Sequence, residues 1–302
     1  MRFRDVGWQL LLPVFLVIVS VFDCGPANAS ISKRDLDRFD SICYNEKSDI
    51  DYAIDACEKL IENANPDYLG FHFNFSQRAL LYIKKKWYDL AIDDYTRAYQ
   101  SHVRTIGEPS AFYRRARGEV YGMKGDYDSA IRDFSEALRL DPNATFVLSE
   151  RALAYSKKGE FDRAIEDLTR AIRAQPRVMN YYFMRGGMFF KQNIFDKSIL
   201  DFEKAFELAP NGPYVLVWLG NALSAKGDMT QALRKYELAL LIKESPFAYA
   251  SRAAVYEKLG QIEPAKEDFK RAIQLPLTET SADEDREARN AALKSMSRLM
   301  AK

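Results

Sequence analysis

Five arginines in this 302-residue chain each stand sixteen residues ahead of an aspartate: Arg78 and Asp94, Arg117 and Asp133, Arg151 and Asp167, Arg185 and Asp201, Arg252 and Asp268. A guanidinium is a planar fork that meets a carboxylate through two parallel hydrogen bonds, so the recurrence predicts structural ion pairs, within or between repeated elements. The functional alternative, an internal basic stripe for an anionic ligand, is weaker because these arginines already have candidate partners. A sixth site in the same phase carries Leu219 and Lys235 instead, so the two residue types come and go together. Nothing else has the spacing of a reactive centre. The chain has only 2 His, His72 and His102. Cys43, Cys57 and His72 lack metal-ligand spacing. There is no Gly-rich phosphate loop, no His-Glu-x-x-His and no Ser elbow. The expectation is no enzyme, with no catalytic residues, no metal and no cofactor.

Composition narrows the classes further. Hydrophobic residues at 47% and charged residues at 29% exclude a disordered chain. Lys plus Arg is 44 against 43 Asp plus Glu, a net charge of +1, which leaves no basic footprint for nucleic acid.

Residues 1–29 read as a secretory signal. Arg2 and Arg4 precede an apolar run from Leu10 to Phe22, and Ala27-Asn28-Ala29 offers small residues for cleavage after Ala29, leaving Ser30 first. The alternative is an uncleaved anchor, but Pro13 interrupts the run and it is shorter than the roughly 20 residues a bilayer needs. Lipid anchoring at Cys24 would need a small residue where Asp23 stands. Cleavage implies an exported, most simply periplasmic, protein with no membrane span. It removes Cys24 and leaves Cys43 and Cys57, an even number that argues for one disulfide in an oxidising compartment. Two separately buried thiols are the alternative.

The elements that would position the Arg–Asp pairs follow a period of about 34 residues. Small residues recur at Ala91, Ala130, Ala164, Ser198, Ala232 and Ala265, and again seven later from Ala98 to Ala272. An aromatic or Leu lies between: Tyr95, Phe134, Leu168, Phe202, Tyr236, Phe269. Twelve residues upstream stand Ala79, Gly118, Ala152, Gly186, Gly220 and Ala253. Spacings of three, four and seven make helix faces, so each repeat holds two helices. Gly125, Gly159, Asn193, Gly227 and Gly260 separate them, residues that tolerate a left-handed helix end, with Lys86 the exception. Pro142, Pro176 and Pro210 stop the second helices.

This pattern resembles the tetratricopeptide repeat family, most closely over 145–176, where Leu148, Arg151-Ala152, Tyr155, Ala164, Leu168, Ala171 and Pro176 carry the signature. The resemblance implies an all-α fold, a right-handed α-solenoid of antiparallel helix pairs. Six repeats would cover 72–277, starting near 72, 111, 145, 179, 213 and 246, with insertions near 65–71 and at 101–110. A helix pair within 30–66, its first helix over 34–47, would cap the N-terminal end, tied by Cys43 and Cys57. The Cys pair just inside the signal is similar to that of exported bacterial proteins of this family. Residues 278–302 would form a C-terminal capping helix over 281–300, with Ser281 as N-cap and a stripe of Ala288, Ala292, Met296, Leu299 and Met300. Partner binding by that helix is the alternative.

In the family, ligands usually lie in the concave groove lined by first helices. Carried over by position, groove candidates are the aromatics Phe73, Phe112, Phe146, Phe183, Tyr214 and Phe247, the lysines Lys84, Lys157, Lys191 and Lys258, and Arg115. The same aromatics could instead seal the joints between repeats. The residues of a carboxylate clamp do not gather in one repeat, since Arg115 and Asn221 stand alone. The resemblance thus implies a non-enzymatic scaffold that binds a protein or peptide. A structural subunit of a homo-oligomer or an envelope or secretion assembly is the first alternative, and a cell-wall or lipid-binding module the second. The oligomeric state is open.

Overall fold

The computed structural model describes residues 31–45, 47–277 and 282–300. The expected signal at 1–29 and the N-cap at Ser281 lie outside the described residues. Every regular element described is a helix, and the helices divide between two compact halves meeting at Lys158 and Gly159.

The N-terminal half holds α1 (Lys33–Cys43), α2 (Ile50–Asn63), α3 (Phe71–Lys84), α4 (Tyr88–Ile106), α5 (Ala111–Lys124), α6 (Tyr127–Leu140) and α7 (Thr145–Lys157). Each packs on the next, so the order in sequence is the order in space. Polar caps start several of them. Asp49 accepts from the amides of Asp51 and Tyr52, and Asp126 from that of Ser129. Such caps satisfy amides that have no partner inside the helix. A disulfide joins Cys43 to Cys57, linking the end of α1 to the middle of α2 across a Cα–Cα distance of 5.0 Å. The α1 helix stops at Cys43, short of the expected 47, because the bridged residue and the turn at Tyr44 begin the reversal into α2. In the other direction, α4 runs on to Ile106 through most of the expected insertion at 101–110 and ends where Gly107 turns left-handed, φ 87°.

The C-terminal half holds α8 (Phe161–Ala174), α9 (Met179–Lys191), α10 (Phe195–Leu208), α11 (Pro213–Lys226), α12 (Met229–Ile242), α13 (Pro246–Lys258), α14 (Ile262–Gln274) and α15 (Asp283–Met300). Consecutive helices again pack on each other, and α15 lies against both α13 and α14. Ala288, Ala292 and Leu299 of α15 are buried on Tyr249, Ala253 and Phe269.

Two contacts at the same offset fix the register inside each repeat. One is steric. A Cβ added at Gly220 would come within 2.5 Å of the Tyr236 ring, and one at Gly118 within 2.9 Å of Phe134. The small residue lets the first helix approach until the buried ring of the second fills the space. The other contact is electrostatic and sits one residue earlier. Arg78 Nε and Nη2 donate to the two Asp94 carboxylate oxygens, both at 2.7 Å. Arg117 meets Asp133 at 2.7 and 2.8 Å, Arg185 meets Asp201 at 2.8 Å twice, and Arg252 meets Asp268 at 2.7 and 2.8 Å. All four aspartates are buried. Arg151 and Asp167 fall one in each half.

The arginines do more than pair. Each of the five lies over the aromatic ring four residues on: Tyr82, Tyr121, Tyr155, Phe189 and Tyr256, at 5.6 to 6.0 Å. The third nitrogen crosses to the preceding second helix. Arg117 reaches Thr96, Arg151 reaches Ser135 and Arg185 reaches Thr169, at 2.9, 2.9 and 3.0 Å. One side chain therefore joins its own helix pair to the repeat before it.

A second tie between neighbouring repeats uses the residue just after the groove-lysine position. Lys85 pairs with Asp51, Lys124 with Asp89 at 2.5 Å, Lys158 with Asp128 at 2.6 Å and Lys226 with Asp196 at 2.6 Å, while Gln192 donates to Asp162 at 2.8 Å. These pairs are exposed, so water and salt screen them and each adds little.

Two measurements test this account. The coupling between Arg185 and Asp201, from a double-mutant cycle of Arg185→Leu and Asp201→Leu in chemical denaturation, is expected to be about 1–3 kcal/mol. A value under about 0.3 kcal/mol would mean the bidentate pair is energetically idle. Lys86, at φ 61°, occupies the left-handed turn that Gly125 fills at φ 90° in the next repeat. Lys86→Gly is expected to stabilise by up to about 1 kcal/mol, because a side chain in that region is strained. A loss of stability would show that the lysine makes up the strain elsewhere.

Candidate functional site

Each half presents the first-helix positions singled out from the sequence, and their surroundings differ. In the N-terminal half, Phe73 and Phe112 are more than two-fifths exposed, while Phe146 is half-buried. Arg115 lies between the last two, its guanidinium 5.6 Å from the Phe112 ring and 5.4 Å from the Phe146 ring. Its Nη1 faces two carboxylates, Glu119 Oε2 at 3.4 Å and Glu150 Oε1 at 3.6 Å. Arg115 is therefore already committed to two carboxyl groups. Burial pushes the Glu119 carboxyl up, with Arg115 opposing. Burial pushes Glu150 up further, and the Glu119 charge adds to it.

Beside this cluster, the long α4 brings His102 against His72 of α3, ring centroids 4.9 Å apart and edge to face, with the Tyr113 ring within 6 Å of both. The Nδ1 atoms of both histidines are buried with no hydrogen-bond partner among the described residues. Burial, then the neighbouring His102, pushes the His72 imidazole down to about 4.

In the C-terminal half, the face of α9, α11 and α13 forms an aromatic cluster. Phe183 is buried against Phe202 and Tyr214, inside the core. Tyr214 and Trp218 both touch Phe247, at 5.5 and 5.7 Å, and Trp218 also touches Phe190 at 5.7 Å. Next to these rings is a cleft of about 380 Å³. Its walls are Phe190 of α9, Asn221 and Ala225 of α11, Phe247, Ala254 and Lys258 of α13, and Ala288 and Ala291 of α15. Lys258 and Ala254 also border an adjoining cleft of about 490 Å³ that reaches Ser295 and Arg298 of α15. The first turn of α15 packs here, Asp285 accepting the Phe247 amide at 3.0 Å. Arg298 closes the far end on Glu257 at 2.7 Å.

Of the groove candidates, the cleft in the C-terminal half gathers Phe247 and Lys258, with Tyr214 packed behind Phe247. Phe112, Arg115 and Phe146 meet in the N-terminal half. Lys84, Lys157, Lys191 and Lys258 all have exposed side chains. Sequence reasoning did not find Glu119, Glu150, Phe190 or Trp218, nor the part of α15 in the cleft wall. Position in the repeat gives no signal for them, because each depends on which neighbour it meets. The cleft has the chemistry of a contact surface, apolar with a few polar groups at its edge. No group of three or more His, Cys, Asp or Glu among the described residues could hold a metal.

The two buried groups of the N-terminal half carry opposite pH signs. Glu150 holds its proton more tightly when folded, so its stabilisation is full below its ordinary value of 4.5 and is lost as pH rises through the folded value. Glu150→Gln is expected to raise the melting temperature at neutral pH, the gain vanishing toward pH 4.5. His72 holds its proton less tightly, so its contribution is present above 6.5 and lost as pH falls toward 4. His72→Gln is expected to flatten that acid loss. Thermal melts across this range check both, and parallel curves for wild type and either variant would refute the assignment.

Sequence models of the tetratricopeptide repeat match residues 111–144, 149–213, 216–247 and 248–277. No curated protein matches the chain. Among solved structures, a tetratricopeptide repeat protein from Parabacteroides merdae superposes with a TM-score of 0.65 at 15% identity, over 86% of this chain and 99% of that one. The C-terminal part of a repeat-containing protein from Cytophaga hutchinsonii gives 0.62 at 19% identity, over 84% and 98%. A crystal structure of MamA is 25% identical over 59% of this chain and 96% of that one, with a TM-score of 0.47. With its helix pairs and its repeat period in agreement with the sequence models that match it from 111 to 277, the chain belongs to the tetratricopeptide repeat family.

Proposed function

We propose that this protein is an exported, non-enzymatic scaffold that holds a segment of a partner protein on the concave, first-helix face of its repeats. The observation that carries the reading is the apolar cleft bounded by Phe190, Phe247 and Ala254 with Lys258 at its edge. The partner segment is extended or helical and carries apolar side chains with carboxylates. Aromatic side chains supply contact area, and the exposed lysines steer an acidic segment toward it. The chain's own α15 illustrates the complement, presenting an alanine stripe and an acidic first turn to the same face. Export, with cleavage after Ala29, rests on the N-terminal sequence and suits the Cys43–Cys57 disulfide.

The test fills the cleft without touching the core. Ala254 is exposed on the cleft side of α13. A photo-crosslinker placed at 254 in cells identifies the partner. Ala254→Arg is then expected to weaken that partner at least tenfold, about 1.4 kcal/mol, with the melting temperature unchanged. Lys258→Glu is expected to slow association and reduce its salt dependence. If neither change affects binding, the cleft is not the site.

A further inference from the structure

The chain has 2 His, and an irregularity in the repeats brings them together. The second helices α6, α8, α10, α12 and α14 have 13 or 14 residues, whereas α4 has 19 and carries His102 in the surplus. Arg104 in the same stretch donates to the Pro66 carbonyl at 2.5 Å and lies 3.6 Å from Asp67, which ties the surplus turn to the segment before α3. His102 thereby meets His72 in the first turn of α3, edge to face with ring centroids 4.9 Å apart. His72 is 3% exposed. Six buried side-chain polar atoms lack a hydrogen-bond partner among the described residues, and three of them belong to His72, His102 and Ser101. On each histidine the orphan is Nδ1.

A ring nitrogen buried without a partner costs stability, and each such group in a folded protein calls for a reason. Helix packing does not supply one. Where His72 stands, the other repeats hold Ala111, Thr145, Met179, Pro213 and Pro246, so the position needs no imidazole. A metal ion between the rings would satisfy both nitrogens at once. Burial holds both imidazoles below their ordinary value, so at neutral pH each keeps one ring nitrogen free of a proton, as a metal ligand must be. The donor set then limits the ion. A closed zinc site takes four ligands and an open one three, and no group of three His, Cys, Asp or Glu exists here among the described residues. The charge that acts on the pair is that of Glu108, beside His102, and one carboxylate balances one positive charge. Two neutral nitrogens and one nearby anion suit a monovalent ion content with two ligands.

We propose that His72 and His102 form a binding site for a monovalent, two-coordinate metal ion, copper(I), held between their Nδ1 atoms. Imidazole is a good ligand for copper, and the step is coordination alone, with no change of oxidation state. The Tyr113 ring, 5.7 Å from His72 and 5.6 Å from His102, walls one side of the site. The ion staples the surplus turn of α4 to α3. It also firms the exposed aromatics of this half, since Phe73 lies 4.3 Å from the His72 ring and Phe112 5.1 Å from Tyr113. The site stands apart from the partner cleft and does not depend on it.

Silver(I) is the probe, because it shares the two-coordinate preference of copper(I) and is not oxidised by air. Silver nitrate titrated into the chelator-stripped protein, free of any histidine tag and with its disulfide intact, is expected to bind at the histidine pair and raise the melting temperature. His72→Gln and His102→Gln are each expected to weaken that binding at least about a hundredfold, since losing even an outer partner of a metal site costs about 10–100-fold. The double variant is expected to bind no more weakly than either single one, because one histidine alone is not the site. Nitrogen NMR of the histidine rings reads the wild-type protein directly and needs no variant to fold. The chain has no other imidazole, and both Nδ1 signals are expected to shift when silver is added. Copper(I) delivered from a coloured chelate is expected to displace silver from the same site. Ring nitrogens that silver leaves unshifted, or binding that the double variant keeps in full, overturn the site. Zinc(II) or nickel(II) held at the two histidines more tightly than silver(I) overturns the monovalent assignment.

Discussion

A guanidinium held sixteen residues before a carboxylate is the constraint on which the repeats depend. The two groups are buried together, and a buried charge is tolerated only where its partner is in place. The fork therefore accepts one register between first and second helix and penalises a slip by even one residue. The small residue beside each arginine and the ring beside each aspartate repeat the same offset sterically, so packing and charge specify one alignment. The pair is not indispensable to the fold. The repeat with Leu219 keeps its helices, with that leucine buried and Tyr236 hydrogen-bonded to Asn221. Apolar replacement of a buried ion pair is often close to neutral in stability. What the arginine adds is reach: stacked on its own ring and bonded to a hydroxyl of the preceding repeat, it couples neighbours that would otherwise meet only through apolar contact.

The two halves use their first-helix faces differently. In the N-terminal half, Arg115 is flanked by rings and held by two glutamates, and two histidines are packed edge to face beside it. Buried polar groups that are only partly satisfied cost stability that an all-apolar face would retain. In the C-terminal half the face is aromatic and alanine-rich, and α15 forms one wall of its cleft. The helix that packs on α13 and α14 thus also shapes the cleft beside them.

Much of the fold was legible in the sequence because the repeat is its own control. The first helices α5, α7, α9, α11 and α13 begin at Ala111, Thr145, Met179, Pro213 and Pro246, where the small-residue phase puts the start of each repeat. The Arg–Asp offset was visible for the same reason. The rest depends on how far side chains and helices extend. Residues 101–106 read as an insertion because they fall outside the repeat period, yet they continue α4, because nothing before Gly107 stops a helix. Thr96, Ser135 and Thr169 sit two residues after their aspartates in plain sight, but their role depends on the following repeat's arginine reaching back. Lys86 looked like an exception at a glycine position and in fact takes the glycine's conformation. Phe183 holds the repeat position that Arg115 holds two repeats earlier, yet packs into the core, because its neighbours Phe202 and Tyr214 are large enough to cover it.

Repetition also makes departures readable. A surface leucine in an ordinary domain carries no information, since apolar atoms are common on any protein surface. In a repeat array the same position has been sampled several times by the same chain, and charged or amide residues occupy it everywhere but α12. The exchange there is coordinated: the Arg–Asp pair, the aspartate that ties the next repeat and both outward positions, at Leu238 and Leu241, change together. Loss of the internal pair needs no outside explanation, because Leu219 is buried and makes up the contact. Leu241, by contrast, stays 83% exposed among the described residues, so the repeat that loses its internal pair also differs on its outer surface.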